Sequence, residues 1–250
     1  MNAGGHRSRK KFASRSRGGQ LLLPLPNRWG GERKGAGRRR RGRPKVPHIP
    51  RAEHSSRHPV HVTLRSEFRQ LRQQFVFPSV RLALVRAAHH NPERFRIIHW
   101  SVQYDHVHLI AEASDKAALS RGLQGLAVRM ARYVNDLLGR RGRFWADRWH
   151  GRELTTPRAV RNAMVYVLMN VRKHARGVMP PGVDALSSGM HFDGWGPGVG
   201  RPLVTAHGSE RAPPLDAQVS GVAHARSWLA TTGWRRHGLL RLDETPQRPE

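Results

Sequence analysis

The 250-residue chain contains no cysteine, which excludes a disulfide scaffold, thiolate metal sites and cysteine nucleophiles. That usage fits a reducing cytosol, and a cytoplasmic protein is the expectation. Acidic residues are scarce: 17 Asp and Glu stand against 45 Lys and Arg, for a formal charge of +28. A chain this basic repels itself unless it meets a polyanion, so nucleic acid is the default partner. No apolar run reaches the roughly 18 residues of a spanning helix. The first apolar run, Leu21-Leu22-Leu23-Pro24-Leu25, is short and broken by proline, so neither a membrane span nor a signal peptide is expected. Tyrosine is almost missing too, with only Tyr104, Tyr133 and Tyr166.

Apolar residues are sparse at both ends. Residues 1–56 are dominated by Gly, Arg, Lys and Ser and hold too few apolar side chains to offset chain entropy, so they read as a basic disordered arm. Within it, Arg41-Gly42-Arg43-Pro44 looks like an AT-hook, in which Arg41 and Arg43 would enter the narrow minor groove of A·T-rich DNA. A generic basic tail on phosphates is the competing reading. Residues 177–250 are again rich in Gly and Pro. There only 226–240 looks ordered, as a short helix docking through Trp228, Leu229 and Trp234. An ordered segment 57–176 remains, of ordinary single-domain size.

The centre of that segment is His99–Glu112. Ile97, Ile98, Trp100 and Val102, then Val107, Leu109 and Ile110, read as two strands at about 94–103 and 106–112, joined at Gln103-Tyr104-Asp105. Residues i and i+2 of a strand share a face, so His106 and His108 project together. Two imidazoles on one rigid strand make half of a metal site. In a chain with 16 histidines they are as readily two partly buried side chains. A first strand is expected over 58–65. A helix opening at Pro78 runs to about His90, where Asn91-Pro92 ends it.

Ser114 or Asp115 caps the next helix, whose apolar face is Leu119, Leu123, Leu126, Met130, Val134 and Leu137 before a stop at Gly139. The loop 139–150 interleaves arginines with aromatics. Arg143 and Arg148 suit phosphates, and Trp145 suits stacking on unpaired bases. Phe144 and Trp145 in the core under a solvated basic rim is the plainer alternative. Thr156-Pro157 opens a last helix, expected to continue through Lys173 to Ala175. Tyr166 and Asn170 are four apart and would share its face.

Four features together resemble the single-tyrosine HUH transposases, and most closely their REP-associated branch. They are His106-Val107-His108 preceded by Asp105, the Leu119–Gly125 helix start with Gln124, the Phe144–His150 loop, and Tyr166-Val-Leu-Met-Asn170. The match covers about half of the chain. It departs at Val171, where relatives often carry proline. The resemblance implies an α+β, ferredoxin-like antiparallel sheet with helices on one face, flanked by basic tails. It implies a divalent ion, Mg²⁺ or Mn²⁺, on His106, His108 and Asn170, with Tyr166 as nucleophile. It further implies cleavage and rejoining of single-stranded DNA at hairpin-forming repeats through a 5′-phosphotyrosine. Read from the residues themselves and not from the resemblance, Arg41, Arg43, Arg143, Trp145, Arg148 and Lys173 are the candidate DNA contacts. In several relatives a homodimer completes the site, one subunit's helix serving the other. A non-cleaving DNA binder on the same fold is the alternative. A zinc hydrolase would need more ligands on a larger barrel. A ribosomal-type RNA binder would explain the charge but not the histidine pair.

Overall fold

The computed structural model describes residues 52–170, 182–197, 204–205 and 221–244. By internal contact the chain divides into Met1–Pro44 and Lys45–Glu250, and every described residue belongs to the second unit. The elements run β1 (Val60–Arg65), α1 (Phe77–His90), β2 (Phe95–Val102), β3 (His106–Ala113), α2 (Lys116–Leu137), β4 (His150–Glu153) and α3 (Pro157–Leu168). The four strands form one antiparallel sheet in the order β2-β3-β1-β4. A βαββαβ chain wound in this order is the ferredoxin-like arrangement expected from the sequence.

Alternation in β1 sets the two faces. Val60, Val62 and Leu64 are buried against α1 and α2, while His61, Thr63 and Arg65 point the other way. β3 divides in the same manner, with Val107, Leu109 and Ala111 in that core. The Asp115 side chain caps α2 by accepting the Ala118 N–H at 2.7 Å, and Gly139 takes the left-handed conformation, φ +59°, that ends it. Leu119, Leu123, Leu126, Met130 and Val134 are buried as their spacing predicts. Leu137 is 48% exposed, and the adjacent Leu138 packs against the core in its place.

The sheet carries helices on both faces, not one. α1 and α2 form the expected layer. α3 covers the opposite face, where Val160, Ala163, Met164 and Val167 meet Ile98 and Ile110. The reason lies in Ile98 of β2 and Ile110 of β3, which give the second face an apolar patch for α3 to cover. At Ile98 the ladder slips by one residue, between Ile97–Ala111 and His99–Ile110. Alternation sends Ile97 into one core and Ile98 into the other, and the bulge keeps Ile98 and His99 on the same face, toward α3. The Thr156 hydroxyl caps α3 by accepting the Ala159 N–H at 3.1 Å. Helix α3 is bounded at Leu168 with Met169 as its C-cap, and Asn170 is again helical; the expected continuation to Ala175 falls within residues 171–181, which lie outside the described set. Asn170 therefore lies two residues beyond Leu168, across the interruption at Met169.

The C-terminal segments are more extensively structured than their composition suggests. Val183–Asp184 pairs in parallel with Val204–Thr205, and the Asp184 carboxylate takes a two-pronged ion pair from Arg72, both contacts 2.8 Å. This stretch lies along the outer edge of β2. There the Trp100 N–H donates to Ser188 Oγ at 2.9 Å and the Val102 N–H to the Leu186 carbonyl at 2.9 Å. The Ala223 N–H donates to the Ile97 carbonyl at 2.8 Å. A short helix, Trp228–Thr231, and a 3₁₀ turn, Gly233–His237, dock on α3 through Leu229 and Trp234, both buried. Trp228, expected in the same contact, is 49% exposed, with the Arg236 guanidinium stacked over its ring.

Candidate functional site

The α3-facing side of the sheet brings together residues far apart in the chain. Cross-strand pairing sets Arg65 against His106 and Thr63 against His108. On the other flank of β1, His150 faces Thr63 and Arg152 faces His61. Directly paired residues share a face, so three histidines of two central strands stand within a rim of Arg65, His150 and Arg152. α3 lowers Tyr166 onto this group. Its ring centroid is 5.0 Å from that of His108 and 5.5 Å from that of His61, edge-on to each. The His106 and His108 centroids are 4.7 Å apart. Tyrosine and histidines belong to one chain, so no second subunit is needed to join them. Tyr104, by contrast, is 57% exposed in the turn before β3. Tyr133 lies on α2 in the opposite layer, its hydroxyl accepting from Arg86 at 2.7 Å.

Both ring orientations in the pair are held through Nδ1. His106 Nδ1 lies 2.7 Å from an Asp105 carboxylate oxygen. Burial alone would raise the Asp105 pKa. The hydrogen bond and charge of His106, with the Arg65 guanidinium, outweigh that and hold it below the usual carboxylate value. His108 Nδ1 lies 3.1 Å from Thr63 Oγ1 and 3.3 Å from His61 Nε2. His61 itself is pushed down to about 4 by burial, with smaller contributions from His150 and Arg152, so it is neutral at pH 7. In the sequence this histidine is one member of an alternating strand. Its relation to His108 depends on the β1–β3 register, which local pattern does not reveal.

The residues fit a divalent ion in one specific sense. With each Nδ1 held by a neighbour, Nε2 is the nitrogen each ring would offer to a metal, the arrangement usual for ligating histidines. Asn170 is fully buried, and neither its side-chain oxygen nor its nitrogen has a hydrogen-bond partner. An amide in that state is costly unless something binds it. Among the described residues no three His, Asp or Glu side chains converge on a point, so such a site would rest on two imidazoles and the Asn170 amide.

The expected DNA-contact residues fare differently. Trp145 is half-buried, packed edge-on to buried Phe144 at 4.8 Å, and its indole N–H donates to the Ala127 carbonyl at 2.9 Å. This is the packing role weighed above as the plainer alternative. Arg143 donates to the Trp145 and Ala146 carbonyls and pairs with Glu67 at 3.2 Å, so it shapes the loop. Arg148 is exposed. Arg41, Arg43 and Lys173 lie outside the described residues. The basic residues that do flank the histidines, Arg65 and Arg152, come from strands, where the sequence offered no charge cluster to mark them.

No helix of the described residues is long and apolar enough to cross a membrane. No protein-family model matches the chain, and no curated protein matches it. Among solved structures, a REP-associated tyrosine transposase bound to a REP hairpin is similar, with a TM-score of 0.41 and 18% identity. The likeness covers 52% of this chain and 75% of that one.

Proposed function

We propose that the protein is a transposase-like DNA strand transferase that cuts and rejoins single-stranded DNA through Tyr166. The observation that carries this reading is the packing of Tyr166 edge-on to His108, beside His106, within one chain. A phenol has a pKa near 10 and attacks poorly at pH 7 unless its developing charge is stabilised. An ion on His106, His108 and the Asn170 amide, Mn²⁺ or Mg²⁺, would supply Lewis-acid stabilisation of the scissile phosphate. Arg65 and Arg152 draw the phosphate backbone to the sheet face, and α3 holds the phenol against it. The Tyr166 oxygen bonds to phosphorus as the P–O3′ bond breaks. The phenolic proton leaves to solvent, and the departing 3′ oxygen takes one up. The product is a 5′-phosphotyrosine and a free 3′-hydroxyl, and the reverse attack rejoins a strand without ATP. Hairpin-forming repeats are the proposed substrate, because their flanks present single strands beside a duplex that a basic surface can grip.

A second reading is a DNA binder that does not cleave, for which the basic rim of Arg65 and Arg152 would suffice without an ion. One assay separates the two. Labelled hairpin oligonucleotides with single-stranded flanks are incubated with the protein and Mn²⁺, and covalent adducts are sought after SDS. The parent should form an adduct that Tyr166→Phe does not, while Tyr104→Phe and Tyr133→Phe should form it normally. Adduct formation by Tyr166→Phe would place the nucleophile elsewhere. No adduct from the parent on any hairpin, with either ion, would leave the binding-only reading.

A further inference from the structure

We infer that His61 is a positioning residue for His108: with the Thr63 hydroxyl, its imidazole holds the His108 ring in the orientation and tautomer that present Nε2 to a divalent ion. This rests on the metal reading of the His106–His108 pair proposed above.

The register makes His61 an unforced candidate. Thr63 lies directly opposite His108, whereas His61 lies opposite Ile110, one same-face step along β1. A diagonal neighbour of that kind is reached only by a long or aromatic side chain, and His61 reaches it. Its Nε2 is 3.3 Å from His108 Nδ1, and the two rings stack at 5.3 Å with 29° between planes. Thr63 Oγ1 approaches the same nitrogen at 3.1 Å. With His61 protonated on Nδ1, its Nε2 and the Thr63 hydroxyl oxygen both accept a proton carried by His108 Nδ1, and a ring protonated there carries its lone pair on Nε2. The other histidine is held differently, by the partly exposed Asp105 carboxylate at 2.7 Å. His108 receives its support from uncharged groups built into the sheet, and the His61 ring is only 8% exposed. His61 also meets Tyr166 edge-on, so one side chain touches the ligand and the nucleophile of the proposed site.

The competing explanation is that His61 only fills space under α3. Two variants separate them. His61→Phe keeps a ring in the same volume and removes the nitrogen. His61→Gln gives up the ring but carries an amide oxygen on a chain of similar reach. In the metal-free protein, long-range ¹⁵N–¹H correlation spectra read which His108 nitrogen is protonated. Mn²⁺ titration followed by EPR of the free ion reads affinity. The parent and His61→Gln should show His108 protonated on Nδ1. His61→Phe should show a mixture of tautomers and about 10- to 100-fold weaker Mn²⁺ binding, the usual loss when the outer partner of a ligand is removed. An unchanged His108 pattern and unchanged Mn²⁺ affinity in His61→Phe would reduce His61 to packing. Failure of the parent to bind Mn²⁺ would overturn the ion's part in the inference and the metal reading with it. The nitrogen spectra of the same samples would still decide whether His61 sets the tautomer, so the two failures stay distinct.

Discussion

Replacing Glu112 with Ala should be among the most damaging single changes outside the site. Glu112 is 1% exposed on β3. One carboxylate oxygen accepts from Arg96 Nε at 3.1 Å and from the Arg226 N–H at 2.8 Å, and the other accepts from the Ser227 N–H at 3.0 Å. The substitution leaves the Arg96 guanidinium buried without its counter-ion and strips two backbone donors at the start of the C-terminal helix. Breaking a buried pair from one side costs about 3–5 kcal/mol. Arg96 keeps its 2.6 Å bond to the Pro92 carbonyl, which argues for the lower half of that range. At about 2–4 °C per kcal/mol for a chain of this size, the thermal midpoint should fall by roughly 10 °C. Removing both charges, as Arg96→Met with Glu112→Leu, should cost clearly less than Glu112→Ala alone, because no charge is then left buried. Urea unfolding gives the free energies, and limited proteolysis should show 221–244 cut first in Glu112→Ala. A loss under about 1 kcal/mol, or a double variant as unstable as the single one, would refute the claim that carboxylate and guanidinium compensate each other in the interior.

Acid should destabilise the fold through His61 and His99, both pushed down to about 4, chiefly by burial. In the window between 4 and the unfolded value of 6.5, the unfolded chain binds more protons, so stability is full above 6.5 and lost as pH falls to 4. The loss is up to about 3 kcal/mol for each histidine, and urea midpoints at pH 7 and pH 4.5 would check it. Gly122→Ala would place a Cβ 2.2 Å from the Phe95 ring; overpacking of this kind should cost about 1–3 kcal/mol in chemical denaturation, with DNA affinity unchanged. Deleting residues 1–50 should weaken DNA binding and flatten its salt dependence by about 0.7–0.9 in log–log slope per lost phosphate contact. An unchanged slope in fluorescence anisotropy would show that the arm does not touch DNA.

The strands and α2 were legible in the sequence because each writes its burial into a short period. Val60, Val62 and Leu64 alternate, and Leu119 to Val134 step by three and four. His106 and His108 were legible for the same reason. Three things were not. The interruption at Met169 was invisible because nothing between Tyr166 and Ala175 is a helix breaker, yet α3 is bounded at Leu168 before Asn170 is helical again. Trp145 looked like a stacking surface because a loop rich in arginine resembles a binding loop, whether or not its aromatics fold inward. His61 was hidden because its meaning comes from a diagonal across two strands, and register is a property of the whole sheet.

The dressing of β2 has a further consequence. A sheet edge with unspent donors and acceptors recruits further strands, from another copy or from a misfolded chain. Here the turn at 186–188 and the strand-like passage at 223 occupy backbone groups that β2 would otherwise offer outward. The opposite border, β4, is only four residues long and carries charge at Arg152 and Glu153. A formal charge of +28 favours association with polyanions, which would concentrate the protein locally. Copies crowded together on a polyanion would find little at either border of the sheet on which to polymerise.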